Sequence, residues 1–237
     1  MKMLVLFDID GTLVLTGRAG VRALERALED VCGRPGLLEG VAVAGRTDRA
    51  IITEALRATD VAADDALFAD VRDRYCGYLH GEVRAESPHP KRVLPGVDAA
   101  LAHLEPLQAS GTVAVGLLTG NFVRGAEIKL EYFDLWRRFS FGAFGDRHVN
   151  RRDLVPLAIE AAAASGAGVF QPEQLLIVGD TPADVDCAHA HGAQAIAVAT
   201  GNYTTAELRE TGAAAVVADL TDWETAWRAV YPRNPNQ

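Results

Sequence analysis

Met3-Leu4-Val5-Leu6-Phe7-Asp8-Ile9-Asp10-Gly11-Thr12-Leu13-Val14 is the stretch on which the fold turns. Its apolar run ends abruptly at an acidic turn that contains glycine. A short apolar run closed by turn residues reads as a strand buried in a parallel sheet. The same grammar recurs down the chain. Val113 to Leu118 ends at Thr119-Gly120-Asn121, Leu175 to Val178 at Gly179-Asp180, and Ala195 to Ala199 at Thr200-Gly201-Asn202. Ala214 to Val217 ends near Asp219, and Ser140 to Phe144, before Gly145-Asp146, is a weaker instance. Helix-like stretches lie between most of these runs, among them Val97 to Leu107, Val155 to Ala164 and Pro182 to His191. Strands alternating with helices predict an α/β fold: a Rossmann-like parallel sheet with helices on both faces and right-handed crossovers.

Between about Thr16 and Arg92 the grammar breaks. Val21, Leu24, Ala27, Leu28 and Val31 form a helical stripe, and Ala50 to Leu56 and Leu67 to Leu79 also read as helices. No convincing strand run occurs there. The stretch is expected to be an all-helical domain inserted after the first strand, spanning residues 16–92, with residues 1–15 and 93–237 forming the α/β core. Ser87-Pro88-His89-Pro90 marks the return to the core, since proline stops helices and stiffens a linker. The tail after Tyr231, with its prolines and asparagines, is expected to fray.

The 237 residues suffice for a packed core, and 49% hydrophobic with 23% charged residues is ordinary for a globular protein. A net charge of −9 disfavours nucleic acid and anionic lipid as partners, so a phosphorylated ligand would need local positive charge. The three cysteines, Cys32, Cys76 and Cys187, are far apart and form no pair motif, which suits a reducing compartment. The apolar run at the N-terminus is too short for a signal-peptide core, and no segment approaches membrane-spanning length. The expectation is a cytoplasmic enzyme without membrane contact, a monomer or homodimer.

In open parallel sheets ligands bind beyond the carboxyl ends of the strands. Those ends carry Asp8 and Asp10, Thr119, and Asp180 with Asp184 nearby. Any one such end could be a plain turn, because Asp and Gly are common there. Together they bring carboxylates and a hydroxyl to one crevice.

Three ordered segments carry a family resemblance: Leu4 to Val14, Leu117-Leu118-Thr119-Gly120-Asn121, and Ile177-Val178-Gly179-Asp180-Thr181-Pro182-Ala183-Asp184. In these the chain resembles the haloacid dehalogenase superfamily, most closely its phosphoglycolate-phosphatase-like branch. The helical insertion is similar to that branch's small cap, so the resemblance covers essentially the whole chain. It implies a magnesium-dependent phosphatase acting on a small phosphorylated metabolite, with phosphoglycolate the first candidate. By the same resemblance Asp8 is the nucleophile and, with the backbone carbonyl of Asp10 and the carboxylate of Asp180, a magnesium ligand; Asp184 is a further ligand or orients one. Asp10 is the general acid and then the base. Gly11, Thr119, Gly120 and Asn121 bind the transferring phosphoryl group.

The chain departs from that pattern at the third motif, where the family usually has a lysine. Here the segment is Asn150-Arg151-Arg152-Asp153. Arg151 aligns best by counting back from the helix, with Arg152 as the alternative. Arginine keeps the charge and offers a fork suited to phosphate oxygens; the bland alternative is that both arginines only solvate a helix start.

Gly45-Arg46-Thr47-Asp48 in the insertion admits two readings. Thr47 or Asp48 can cap the following helix, or the turn faces the crevice and Arg46 pairs with a second anion on the substrate. Lys129 is a candidate basic residue near the second motif, although a solvated helix face is the plainer reading, and Thr200-Gly201-Asn202 reads as a simple turn. Cys187, His189 and His191 are spaced by two on a helix and cannot converge on one metal. Competing functions are a phosphomutase on the same fold and a catalytically weak binding protein. Phosphonate cleavage is disfavoured, because in this family it needs a cap lysine and Thr16 to Pro90 contains none.

Overall fold

In the computed structural model, which describes residues 2–231, the run Met3–Phe7 is strand β1. It is followed by β2 (Val14–Thr16), α1 (Ala19–Cys32), α2 (Asp48–Leu56), α3 (Asp65–Glu82), β3 (Lys91–Val93), α4 (Val97–Ala109), β4 (Val113–Thr119) and α5 (Val123–Tyr132). Then come β5 (Gly142–Phe144), α6 (Leu154–Ala164), β6 (Leu175–Gly179), α7 (Pro182–Ala190), β7 (Gln194–Val198), α8 (Thr205–Glu210), β8 (Ala215–Val217) and α9 (Trp223–Val230). Six strands form one parallel sheet in the order β5-β4-β1-β6-β7-β8. Each expected strand is present, with ends shifted by one or two residues.

Uninterrupted apolarity in β1 and β6 follows from burial on both faces. Side chains alternate across the sheet. Val5, Phe7, Leu176 and Val178 meet α4 and α9 on one face, including Trp223 and Trp227. Leu4, Leu6 and Ile177 meet α6, α7 and α8 on the other. The Trp223 ring lies against Phe7, with centroids 6.0 Å apart.

Two strands were not foreseen. β2 and β3 pair antiparallel, Val14 with Val93 and Thr16 with Lys91, forming a two-stranded ribbon where the chain leaves the sheet region and returns. At three residues each, they are too short to show a period in sequence. Between them lie α1, α2 and α3 with an apolar cluster of their own, built on Leu24, Leu28, Ile52, Val71, Tyr75 and Leu79. Phe122 and Ile128, from the β4–α5 segment, complete that cluster and seat the insertion on the sheet domain. The tail expected to fray beyond Tyr231 lies outside the described residues.

Candidate active site

Residue types at the strand ends decide what gathers there. β1 stops at Asp8, whose backbone N–H still donates to Val178 O of β6 at 2.9 Å, so the buried Asp8 side chain points off the sheet edge. Gly11 follows in a left-handed conformation (φ 85°), and a Cβ there would overlap the carboxylate of Asp180 at 2.4 Å; only glycine permits this turn. Thr12 Oγ1 donates to Asp180 Oδ1 at 3.2 Å, tying the β1 turn to the end of β6. At the end of β4, Asn121 Nδ2 donates to Thr119 Oγ1 at 2.7 Å and to Asp10 Oδ2 at 2.9 Å. Helix α7 opens with a capping box in which Asp184 Oδ2 accepts from Thr181 N at 3.0 Å and from Thr181 Oγ1 at 2.7 Å. Its other oxygen, Oδ1, accepts from Arg151 at 2.6 Å.

The two arginines of the third motif separate cleanly. Asn150 caps the short turn that precedes α6, and this sends Arg151 inward and Arg152 outward. One nitrogen of Arg151, Nη2, does the work. It bonds Asp184 Oδ1 and lies 2.9 Å from Asp8 Oδ1, an ion contact without hydrogen-bond alignment, while Nε has no partner. Arg152 pairs with Asp186 at the surface, both about half exposed. Asp186 therefore faces away from the carboxylate cluster.

Asp8, Asp180 and Asp184 each offer a carboxylate oxygen within 4.8 Å of the others, and all three are buried. Burial pushes the Asp8 carboxyl up to about 6; Arg151 pulls it down, and Asp184 and Asp10 push it further up. Burial, then Asp184 and Asp8, hold Asp180 well above the usual carboxylate range. Burial opposes the charge on Arg151, but Asp184 and Asp8 outweigh it and raise its pKa. Three buried carboxylates against one arginine leave an excess of negative charge, and buried Asp8 Oδ1 has no hydrogen-bond partner among the described residues. A divalent cation with a preference for hard oxygen ligands would satisfy both. The residues therefore fit a divalent ion of that kind.

Above these groups lies a cavity of about 630 Å³, within the range of small-molecule sites. Its floor is Asp8, Asp10, Thr119, Asn121, Arg151 and Asp180, and its roof is the insertion. The turn Gly45-Arg46-Thr47-Asp48 is pressed onto the strand ends. Asp48 N donates to Gly120 O at 2.7 Å, Asp48 Oδ2 accepts from Phe122 N at 2.8 Å, and Thr47 Oγ1 donates to Val149 O at 3.2 Å. A Cβ on Gly120 would sit 2.1 Å from the Arg46 carbonyl oxygen, so this seat requires glycine. Thr47 also caps α2, accepting from Ala50 N at 3.0 Å. Burial pushes the Asp48 carboxyl up to about 6, against the pull of Lys129 and the Phe122 N–H.

Arg46 reaches the cavity wall, and its guanidinium bonds the carbonyls of Ala42 and Ala50, both at 3.2 Å. Two sequence expectations change here. Lys129, read as a solvated helix face, is buried: Nζ donates to Asp10 Oδ2 at 2.6 Å and to Asn121 Oδ1 at 2.5 Å. The insertion covers that face of α5. The sequence carried only a faint signal, that Lys129 lies one turn from the apolar Ala126. Finally, Thr200-Gly201-Asn202 is more than a turn: Thr200 Oγ1 donates to Gly11 O, and Gly201 and Asn202 line the cavity.

Residues 150–223 match the HAD-hydrolase-like family model. The phosphoglycolate phosphatase of Cereibacter sphaeroides (strain ATCC 17029) is 31% identical over 208 residues, covering 87% of this chain and 88% of the relative. That of Mesorhizobium japonicum is 27% identical over 223 residues, covering 92% and 91%. In fold, a crystal structure of a predicted phosphatase from Clostridium acetobutylicum aligns at a TM-score of 0.67 with 19% identity, over 95% of this chain and 97% of that one. A β-phosphoglucomutase from Clostridium difficile aligns at 0.68 with 16% identity, over 97% of both. With its strand-end motifs, its parallel sheet and these relatives, the chain belongs to the haloacid dehalogenase superfamily, in its phosphoglycolate-phosphatase-like branch, and is a phosphoric monoester hydrolase of that superfamily.

Proposed function

We propose that the chain hydrolyses a small phosphomonoester by way of an aspartyl phosphate on Asp8, with a divalent cation, magnesium first, held by the carboxylates of Asp8 and Asp180 and the backbone carbonyl of Asp10. Phosphoglycolate is the leading substrate candidate, because the curated relatives that span most of the chain carry that name. The observation that carries the reading is Asp8 itself: buried at the cavity floor, held by Arg151 and adjacent to Asp10.

When bound, the cation supplies positive charge that screens the phosphoryl oxygens from the attacking carboxylate. An oxygen of Asp8 attacks phosphorus in line; the P–O ester bond breaks, and Asp10 gives its proton to the departing oxygen. Asp10, held by Asn121 and Lys129, then takes a proton from water as that water attacks the aspartyl phosphate, freeing inorganic phosphate and regenerating Asp8. Thr119, the backbone N–H groups of Gly120 and Asn121, and the Gly11 turn hold the transferring oxygens. Arg151 contributes charge beside Asp8 and keeps Asp184 oriented, and Asp184 supports the cation site. The insertion, residues 16–92, acts as a cap over a core of residues 1–15 and 93–237. Thr47 and Asp48 seat it, and its closure excludes water from the site.

No helix among the described residues is long and apolar enough to cross a membrane. A cytoplasmic location and a monomeric or homodimeric state belong to the same proposal. Asp8→Asn is the deciding test. Its carboxamide is a poor nucleophile, so magnesium-dependent release of phosphate from an aryl phosphate should vanish while the fold persists. Appreciable turnover by a contaminant-free variant would sink the mechanism.

A further inference from the structure

We infer that Lys129 and Tyr75 form a leaving-group subsite that takes a carboxylate carried on the carbon next to the ester oxygen. The inference rests on the phosphatase reading above and assigns the side chains that would recognise the leaving group of its substrate.

Lys129 is 4% exposed and Tyr75 is 1% exposed, yet both line the cavity. The Lys129 ammonium has three N–H bonds. One goes to Asp10 and one to Asn121, which leaves a donor unused. Tyr75 reaches the same place from α3 of the insertion, and its Oη has no hydrogen-bond partner among the described residues. The two groups converge over Gly20 of α1. A methyl placed there would lie 3.2 Å from Lys129 Nζ and 3.6 Å from Tyr75 Oη. The absent side chain at Gly20 therefore opens a niche walled by an ammonium and a phenol. Both groups line the cavity, so a ligand acceptor entering the niche would find an ammonium hydrogen and a phenol that no protein acceptor among the described residues holds.

Its position identifies which part of the substrate arrives there. Lys129 Nζ is bonded to the same oxygen of Asp10, Oδ2, that faces Asn121, so the niche adjoins the group that protonates the departing oxygen. An acceptor bound to Nζ is held only a few bonds from that oxygen. A carboxylate on the ester-bearing carbon meets this requirement, and its two oxygens match the two donors. Arg46 does not compete for it, since its guanidinium serves Ala42 and Ala50. The subsite is also built from both sides of the cleft, so it is complete only when the insertion is seated.

The test compares three magnesium-dependent substrates of one carbon skeleton: phosphoglycolate, ethyl phosphate, which lacks the carboxylate, and 2-hydroxyethyl phosphate, which replaces it with a hydroxyl. The wild-type protein should favour phosphoglycolate over ethyl phosphate by on the order of 100-fold in kcat/KM, since a site built to bind a polar group rejects the analogue lacking it. Tyr75→Phe removes only Oη, and Gly20→Ala fills the niche while favouring helix. Each should lower kcat/KM for phosphoglycolate about tenfold, mainly through KM, and leave ethyl phosphate unchanged. Equal turnover of phosphoglycolate and ethyl phosphate, equal losses on both, or 2-hydroxyethyl phosphate performing as well as phosphoglycolate would each overturn the subsite while leaving the phosphatase standing. No Asp8-dependent turnover of any of the three would bring down the phosphatase reading, and the subsite with it.

Discussion

Arg151 touches Asp184 and Asp8 through one nitrogen only, and this makes an unusual prediction about lysine. Arginine and lysine differ chiefly in the fork, and here the fork is idle: Nε is unpartnered and the contacts fall on Nη2. Arg151→Lys should therefore keep kcat within about tenfold, a cost of at most ~1.4 kcal/mol. Arg151→Ala is a different perturbation. It strips the only cation in contact with Asp8 and Asp184, both buried, among the described residues. Losing such a charge stabiliser beside the reacting group should lower kcat by about 10²–10³. Leaving buried carboxylates unpaired should also cost ~3–5 kcal/mol of stability in the metal-free protein. At ~2–4 °C per kcal/mol for a chain of this size, Tm should fall by at least about 6 °C. Arg152→Ala breaks only the half-exposed pair with Asp186 and should cost no more than ~1 kcal/mol and little activity. Steady-state kinetics on an aryl phosphate and metal-free thermal melts of the three variants decide the matter. A lysine variant as inactive as the alanine variant would refute the single-nitrogen reasoning. An Arg152→Ala variant more damaged than Arg151→Ala would refute the assignment of Arg151 itself.

Three further outcomes follow from the geometry. Asp8 has its carboxyl pushed up to about 6, and a cation needs it ionised, so calorimetric magnesium affinity should fall as pH drops through 6, approaching about tenfold per pH unit for this one proton; a flat affinity between pH 5 and 7 would contradict the ligand role. Asp48, also raised to about 6 from 3.8, stabilises the fold fully only below 3.8, and that contribution is lost as pH rises through 6. Asp48→Asn, whose Oδ1 can still accept from Phe122 N–H, should match the wild type in unfolding free energy near pH 4 and gain on it by pH 7, by up to about 3 kcal/mol; parallel pH profiles would show that Asp48 ionises freely. Arg46→Ala should change KM less than about threefold on phosphoglycolate and aryl phosphate alike, because the side chain serves its own turn; a selective rise on phosphoglycolate would return Arg46 to the substrate.

Local chemistry made much of this protein legible in the sequence. Strands buried on both faces must be apolar throughout, so β1, β4 and β6 announced themselves, and their polar stops placed Asp8, Thr119 and Asp180 along one edge. Helix spacing sufficed to show that α1 had one covered side. What covers a side is settled by packing between distant segments, and local patterns carry no record of it. Lys129 looked solvated because its neighbours in sequence do not reveal that Tyr75, some fifty residues earlier, lies above it. Only a count back from the helix favoured Arg151 over Arg152 in the sequence, since adjacent positions share composition; the Asn150 cap turned one toward Asp8 and the other to solvent. Arg46 was open to two readings in the sequence for a related reason. A turn that presses its own backbone against Gly120 has carbonyls of its own to satisfy, and the guanidinium is spent there. The strand-end chemistry was thus a property of the sequence, whereas the direction of each cation was decided by the closing of the insertion onto the sheet. Desolvation there makes an unpaired charge too costly to leave in place.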